Sequence, residues 1–343
     1  MYLGEQLHTP TDTRLALSAQ LGVAHVAVEA GRELDGDGPE GYWSAEGVRR
    51  LQARSAAVGI AVDVIGLETG SLLRDLVQGR EGAADERFRL LEHNIRVAAG
   101  CGVPCLKYAL HPGGVLRTGY AEGRGGARYP RFAFADVDTI GSAPSNSAAD
   151  RHDLAQVGPI PETASWDALA RVLDRLIPVA EACGVSLAFH PQDPPLPPGG
   201  VRGVHHVLGS VEGMRRYLVM SDSPHHAMNF CQGTLAEMCA NPAAEVPGLV
   251  REFGGTGRIR MVHFRNIRGG YGDFAEVYPD NGDVDMLAAL RVYREVGYRG
   301  MICPDHVPVS DADPDRTRQF AFCLGYIRAL LQVIERESVA VAG

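Results

Sequence analysis

The chain has 343 residues, of which 45% are hydrophobic and 22% charged, and its net charge is −9. This composition suits a globular enzyme, and the charge disfavours nucleic acid or an anionic membrane as the main partner. It leaves room for a small anionic substrate, since a local cluster of Arg, Lys and metal can outweigh the global charge.

The seven cysteines, Cys101, Cys105, Cys183, Cys231, Cys239, Cys303 and Cys323, are irregularly spaced, and no C-x-x-C pair occurs. Neither a zinc finger nor a thioredoxin-type redox motif is expected. The opening MYLGEQLHT lacks a basic segment and an apolar h-region, and no apolar run is long enough to span a bilayer. The expectation is a cytoplasmic protein with free thiols. Length alone would suggest two domains, but an α/β barrel often runs this long as one, so a single domain over 1–343 is expected.

Short runs rich in Val, Ile, Leu and aromatics alternate with longer amphipathic stretches. Strand one runs from about Tyr2 to Leu7, and a helix follows from Thr11 to Leu21. Strand two, VAHVAVEA, ends at Ala30 and precedes a helix from Ser44 to Val58. Strand three, IAVDVIGLE, ends at Glu68; its helix, DERFRLLEHNIRVAAGCG, has Asp85 as the expected N-cap and a glycine stop. Strand four is CLKYALHP.

A long insert then runs from Gly113 to about Glu162, rich in Gly, Pro, Ser and Arg and without helical or strand periodicity. Loops of this length without regular structure are usually lids, binding loops or disordered segments. Topology would put it on the catalytic side of a barrel. The helix SWDALARVLDRLIPVAEACG leads into strand five, VSLAFHPQD. Strand six is HAMNFCQG and strand seven RIRMVHFRN. The amphipathic VDMLAALRVYREVGY precedes strand eight, GMICPDHV, and RTRQFAFCLGYIRALLQVIERE closes the chain before a frayed tail, SVAVAG. Strand–helix alternation argues for a parallel sheet, and eight units argue for a (β/α)₈ TIM barrel.

His190, Cys231, His263 and Asp305 sit at the ends of strands five to eight. The intervals 190–231, 231–263 and 263–305 each match the roughly 30–45 residues of one barrel unit. Four consecutive units would thus deliver one metal-binding side chain each to the rim where barrel enzymes place chemistry. Alone, each residue has an ordinary explanation: a hydrogen-bonded rim histidine, a small buried cysteine, a loop-capping aspartate. Together, two imidazoles, a thiolate and a carboxylate form a complete donor set for a divalent transition ion. Mn²⁺ is favoured for a catalytic site because it leaves positions for substrate oxygens, with Fe²⁺, Co²⁺ or Zn²⁺ as alternatives.

His306 follows Asp305, so it is anchored close to any ion there, as a base or as a support for Asp305. Lys107, His111 and Arg117 after strand four, and Arg265 and Asn266 after strand seven, are candidate substrate contacts. Asn229 lies two positions before Cys231, on the same side of its strand. Arg and Lys beside a metal suit a substrate carboxylate. The pairs His205–His206 and His225–His226 lack spacing with the main set, and FGGTG at Phe253 matches neither a dinucleotide nor a P-loop pattern.

LAFHPQDPP (187–195), NFCQGTLAEM (229–238), MVHFRNIR (261–268), GDFAEVYPDNGDVDM (272–286) and GYRGMICPDH (297–306) resemble the mannonate dehydratase family of xylose-isomerase-like barrels. The N-terminal half matches more loosely, mainly through LKYALHPGGVLRTGY. The resemblance implies metal binding by His190, Cys231, His263 and Asp305, and a catalytic role for His306. It also implies a homo-oligomer and Mn²⁺-dependent removal of water from a hexonate to give 2-keto-3-deoxy-D-gluconate. The chain departs from the family pattern R-P-D-H-G at Cys303 and Val307. It also departs from F-H-E at Ala275, within Phe274–Glu276, and from a further histidine near Tyr278 and Pro279. The family tyrosine of a P-G-Y segment is matched by Phe320 or Ala321, while Tyr326 lies deeper in the last helix. These positions bear on the sugar acid and on the acid that assists water loss. The alternatives are a sugar or sugar-acid isomerase or epimerase on the same barrel, and a non-enzymatic barrel with a structural metal that binds carbohydrate.

Overall fold

A computed structural model describes residues 1–29, 31–139 and 157–342. In chain order the elements are β1 (Tyr2–Leu7), α1 (Asp12–Gln20), β2 (His25–Val28), α2 (Ala45–Ala56), β3 (Ala61–Leu67), α3 (Leu72–Val77), α4 (Glu81–Gly100) and β4 (Cys105–Ala109). Next come β5 (Gly119–Glu122), β6 (Arg128–Ala133), α5 (Glu162–Cys183), β7 (Ser186–His190), α6 (Val211–Val219), β8 (His226–Cys231), α7 (Gln232–Glu237) and α8 (Pro242–Gly255). The chain ends with β9 (Ile259–His263), β10 (Asn266–Gly270), β11 (Asp273–Val277), α9 (Met286–Glu295), β12 (Met301–Cys303) and α10 (Thr317–Ala342).

Eight parallel strands close in the order β1-β12-β9-β8-β7-β4-β3-β2, as the alternating pattern requires. The register of β8 on β9 sets Cys231 opposite His263, and that of β9 on β12 sets His263 opposite Cys303. Helices start where short polar side chains stand ready to cap them. Ser44 Oγ accepts from Gly47 N–H at 3.0 Å, and Asp285 Oδ1 accepts from Ala288 N–H at 2.9 Å.

The inside of the barrel is layered. Ala27, Val64, Cys105, Ala188, Met261, Met301 and Cys303 form an apolar plug. Bulkier Val, Leu, Ile and Phe side chains from strands and helices fill the main core. Above the plug the lining turns polar, and every expected metal donor belongs to that layer.

Three local expectations are corrected. Residues 119–139 of the insert are regular: β5 and β6 form a hairpin that pairs antiparallel with β10–β11, giving a second sheet in the order β10-β11-β6-β5. Arg and Pro in these short strands hide their periodicity, and the pairing that stabilises them is supplied from residues far along the chain. Residues 140–156 of the insert, and Ala30 at the expected end of strand two, lie outside the described residues. Asp85 is not a cap: α4 begins at Glu81, and the Asp85 side chain accepts from Arg175 Nη1 at 3.2 Å. The expected frayed tail continues α10 to Ala342.

Candidate metal centre

His190 ends β7, Cys231 ends β8, His263 ends β9, and Asp305 lies two residues beyond β12. One donor atom from each comes within 4.8 Å of all the others. His263 Nδ1 is 3.5 Å from Asp305 Oδ1, and Cys231 Sγ is 3.7 Å from Asp305 Oδ2. The imidazole rings of His190 and His263 have centroids 5.1 Å apart.

Each donor is held from behind. His190 Nδ1 lies 2.6 Å from the Pro191 carbonyl, an acceptor that fixes the proton on Nδ1 and frees Nε2. Cys231 caps α7, its sulfur accepting from Thr234 N–H at 3.5 Å and Thr234 Oγ1–H at 3.1 Å. Arg265 Nε donates to Asp305 Oδ2 at 3.2 Å. His263 Nε2 lies 3.2 Å from Asn229 Nδ2, whereas its Nδ1 is buried without a hydrogen-bond partner.

The electrostatics favour neutral imidazoles and an ionised carboxylate. Burial, reinforced by His263, holds His190 well below the ordinary histidine range, and burial brings His263 down to about 4. Burial alone would raise Asp305, but His306, His263 and Arg265 outweigh it and hold it well below the carboxylate range. Burial pushes the Cys231 thiol up to about 12, so ionising it at neutral pH requires a stronger positive charge than Arg265 provides.

Beside the four donors lies a buried ion network. Arg117 Nη1 donates to Asp193 Oδ1 at 2.6 Å, and its Nη2 contacts Glu276. Arg265 Nη1 donates to Glu237 at 2.6 Å and to Glu276 at 2.7 Å, and its Nη2 donates to Asp193 Oδ2 at 2.9 Å. Burial and Asp193 raise Glu237 to about 8, against the pull of Arg265 and Arg117. Burial opposes ionisation of Glu276, yet Arg117, His306 and Arg265 bring it down to about 2. His306 Nδ1 lies 2.6 Å from Glu276 Oε1, and its Nε2 lies 3.8 Å from Asp305 Oδ1. Burial would lower His306, but Asp305 and Glu276 prevail and raise it to about 9.

The expected substrate contacts divide into groups. Arg117 and Arg265 are buried and committed to carboxylates of the protein. Asn266 does not join the donor cluster: it donates to the Pro279 and Val284 carbonyls, both at 2.9 Å, and locks the start of β10. Asn229 is fully buried against His263. His111 sits edge-on to His190 with its Nε2 2.9 Å from the Pro191 carbonyl. Lys107 donates to Gln6 Oε1 at 2.8 Å and pairs with Glu29. Gly66 makes room for that pair, since a Cβ there would collide with the Glu29 carboxylate.

Sequence reasoning missed Asp193, Glu237 and Glu29 as parts of the polar layer. Asp193 and Glu237 lie within H-P-x-D and N-F-C-Q-G-T-L-A-E, motifs read above only for their metal donors. Of the departures, Cys303 is buried among the apolar plug with its sulfur 3.4 Å from the Val262 carbonyl. Phe320 is half-buried with the Arg14 guanidinium 5.6 Å from its ring centre.

The chain matches the family model for D-mannonate dehydratase (UxuA) over residues 19–336. It is 37% identical over 150 residues to mannonate dehydratase 2 of Halalkalibacterium halodurans, covering 43% of this chain and 42% of that protein. It is 35% identical over 150 residues to the mannonate dehydratase of Thermotoga maritima, covering 43% of this chain and 40% of that protein. The matched stretch thus spans under half the length of these curated relatives. A crystal structure of mannonate dehydratase from Streptococcus suis superposes with a TM-score of 0.80 at 22% identity, over 98% of this chain and 96% of that one, a likeness of fold. With most of its length matched by the family model, the chain belongs to the D-mannonate dehydratase family.

Proposed function

We propose that the protein removes water from a hexonate, D-mannonate or a close analogue, to give the 2-keto-3-deoxy acid in a metal-dependent reaction. The observation that carries this reading is the convergence of His190, Cys231, His263 and Asp305 within 4.8 Å, with His306 beside them, in a chain of this family. The residues fit a cation: two neutral imidazoles, a sulfur and an ionised carboxylate converge, and the buried His263 Nδ1 has no other partner. The imidazoles and carboxylate suit Mn²⁺ when positions are left for substrate oxygens, whereas the thiolate favours Zn²⁺ or Fe²⁺.

When bound, the cation would draw charge from the substrate carboxylate and C2 hydroxyl and so acidify the C2 proton. His306 is assigned the proton transfer. The ionised Glu276 only accepts, so it keeps the proton on His306 Nδ1 and leaves Nε2, on the donor side, as the atom that exchanges a proton with substrate. Loss of the C2 proton and of the C3 hydroxyl as water gives an enol that becomes the ketone. The Lys107–Glu29 pair, with Lys107 near His190 and His263, offers a donor and an acceptor for sugar hydroxyls. We further read the chain as one domain in which the described part of the insert, residues 113–139, lies over the catalytic face.

Proton NMR of the Mn²⁺-loaded protein in D₂O with a panel of hexonates and hexuronates tests this. A 2-keto-3-deoxy product supports it and names the substrate. Deuterium incorporation with isomer formation and no water loss would replace it with an isomerase or epimerase. Silence across the panel would remove the substrate class.

A further inference from the structure

Two buried polar atoms on touching side chains lack hydrogen-bond partners: His263 Nδ1 and Asn229 Oδ1. Between them lies a contact of the wrong polarity for metal binding. Asn229 Nδ2 faces His263 Nε2 at 3.2 Å, an orientation in which the amide donates to Nε2 and the ring proton sits on Nδ1. Yet Nδ1 is the atom 3.5 Å from Asp305 Oδ1, on the side of the four-donor cluster, and a ligating nitrogen cannot carry a proton. Turning the Asn229 amide by half a turn, which exchanges its oxygen and nitrogen without changing its shape, gives Oδ1 a partner and frees Nδ1 for a cation, with Nδ2 taking the place Oδ1 held. Oδ1 then accepts from Nε2–H, and Nδ1 presents its lone pair to the cluster.

We propose that Asn229 is a positioning residue that fixes the tautomer and orientation of His263, so that Nδ1 is its metal ligand. The inference rests on the four-donor cluster being a metal site. It completes a pattern visible at the other donors, where the Pro191 carbonyl holds His190, Thr234 holds Cys231 and Arg265 holds Asp305. A carboxamide is suited to this place because it is neutral, and a carboxylate would add a further charge to a layer already dense in them.

The test is Zn²⁺ affinity of the full-length protein, by competition with a chromophoric chelator, for wild type, Asn229→Leu and Asn229→Asp. Leucine is expected to weaken Zn²⁺ by about 10- to 100-fold, as loss of an orienting partner does. Aspartate, which also accepts from Nε2–H, is expected to restore affinity to near the wild-type value. Leucine binding as tightly as wild type, or aspartate binding as weakly as leucine, would overturn the inference. Long-range ¹H–¹⁵N spectra of the Zn²⁺-loaded wild type give a readout independent of any variant's folding. A protonated Nε2 and a metal-bound Nδ1 at His263 are expected, and the reverse would overturn it. Absence of Zn²⁺ binding by the wild type would instead remove the metal-site reading itself.

Discussion

His306 Nδ1 lies 2.6 Å from Glu276 Oε1, an oxygen that also accepts from Arg265 Nη1 at 2.7 Å and contacts Arg117. One carboxylate oxygen therefore ties His306 to both buried guanidiniums. Replacing His306 with Asn leaves the four donors in place and removes the proton-carrying ring. Metal content after dialysis should stay stoichiometric while kcat falls about 10²- to 10⁴-fold. Loss of metal instead would make His306 a support for Asp305.

His263→Ala removes a donor whose backing is already built. Tight metal binding and activity should vanish together, read by elemental analysis and product formation on the same samples. Normal turnover with a full complement of metal would disprove its assignment.

Metal uptake should release about one proton at neutral pH, because the Cys231 thiol is pushed up to about 12 by burial and must ionise to ligate. Titration calorimetry in buffers of different ionisation enthalpy measures it. Cys231→Ser should lower the proton count and weaken binding, whereas an unchanged count would mean the sulfur is not a ligand.

Arg117 is predicted to act on stability. Its guanidinium is buried against Asp193, Glu276 and Glu237, so Arg117→Met leaves these buried acids with Arg265 alone to offset their charge. The expected cost is about 3–5 kcal/mol in urea unfolding, with KM for the sugar acid little changed. A large rise in KM at wild-type stability would return Arg117 to the substrate.

His226 is buried far from the donors, stacked on Phe189 with its Nε2 2.9 Å from the Tyr217 carbonyl, and burial lowers it to about 4. Its folded pKa is below its unfolded value of about 6.5. Above pH 6.5 both states are neutral; as pH falls towards 4 only the unfolded chain gains the proton, and stability drops. Between pH 7 and 5 the wild type should lose about 2 kcal/mol more than His226→Gln. Parallel pH slopes for the two proteins in urea unfolding would contradict this.

The convergence of the four candidate donors was legible in the sequence because barrel topology converts spacing along the chain into adjacency at one rim. His190, Cys231, His263 and Asp305 needed only the positions of four strand ends. Arg117 was legible as a charge but not as a buried one, because its partners Asp193, Glu237 and Glu276 come from a loop, a helix and a strand elsewhere in the chain. Lys107 was likewise read without Glu29, which lies just past β2 and meets it only once the barrel closes. The β5–β6 hairpin was illegible for the same reason, its pairing partner being more than a hundred residues away.

That hairpin has a mechanical consequence. The excursions after β4 and after β9 share one sheet, and Arg117 at the root of the first is pinned to Glu276 within the second. Neither rim excursion can swing outward alone without breaking ladder hydrogen bonds and a buried ion pair. The two therefore behave as one stiff flap hinged at two distant points of the chain, and shortening either would leave the other with an unpaired edge.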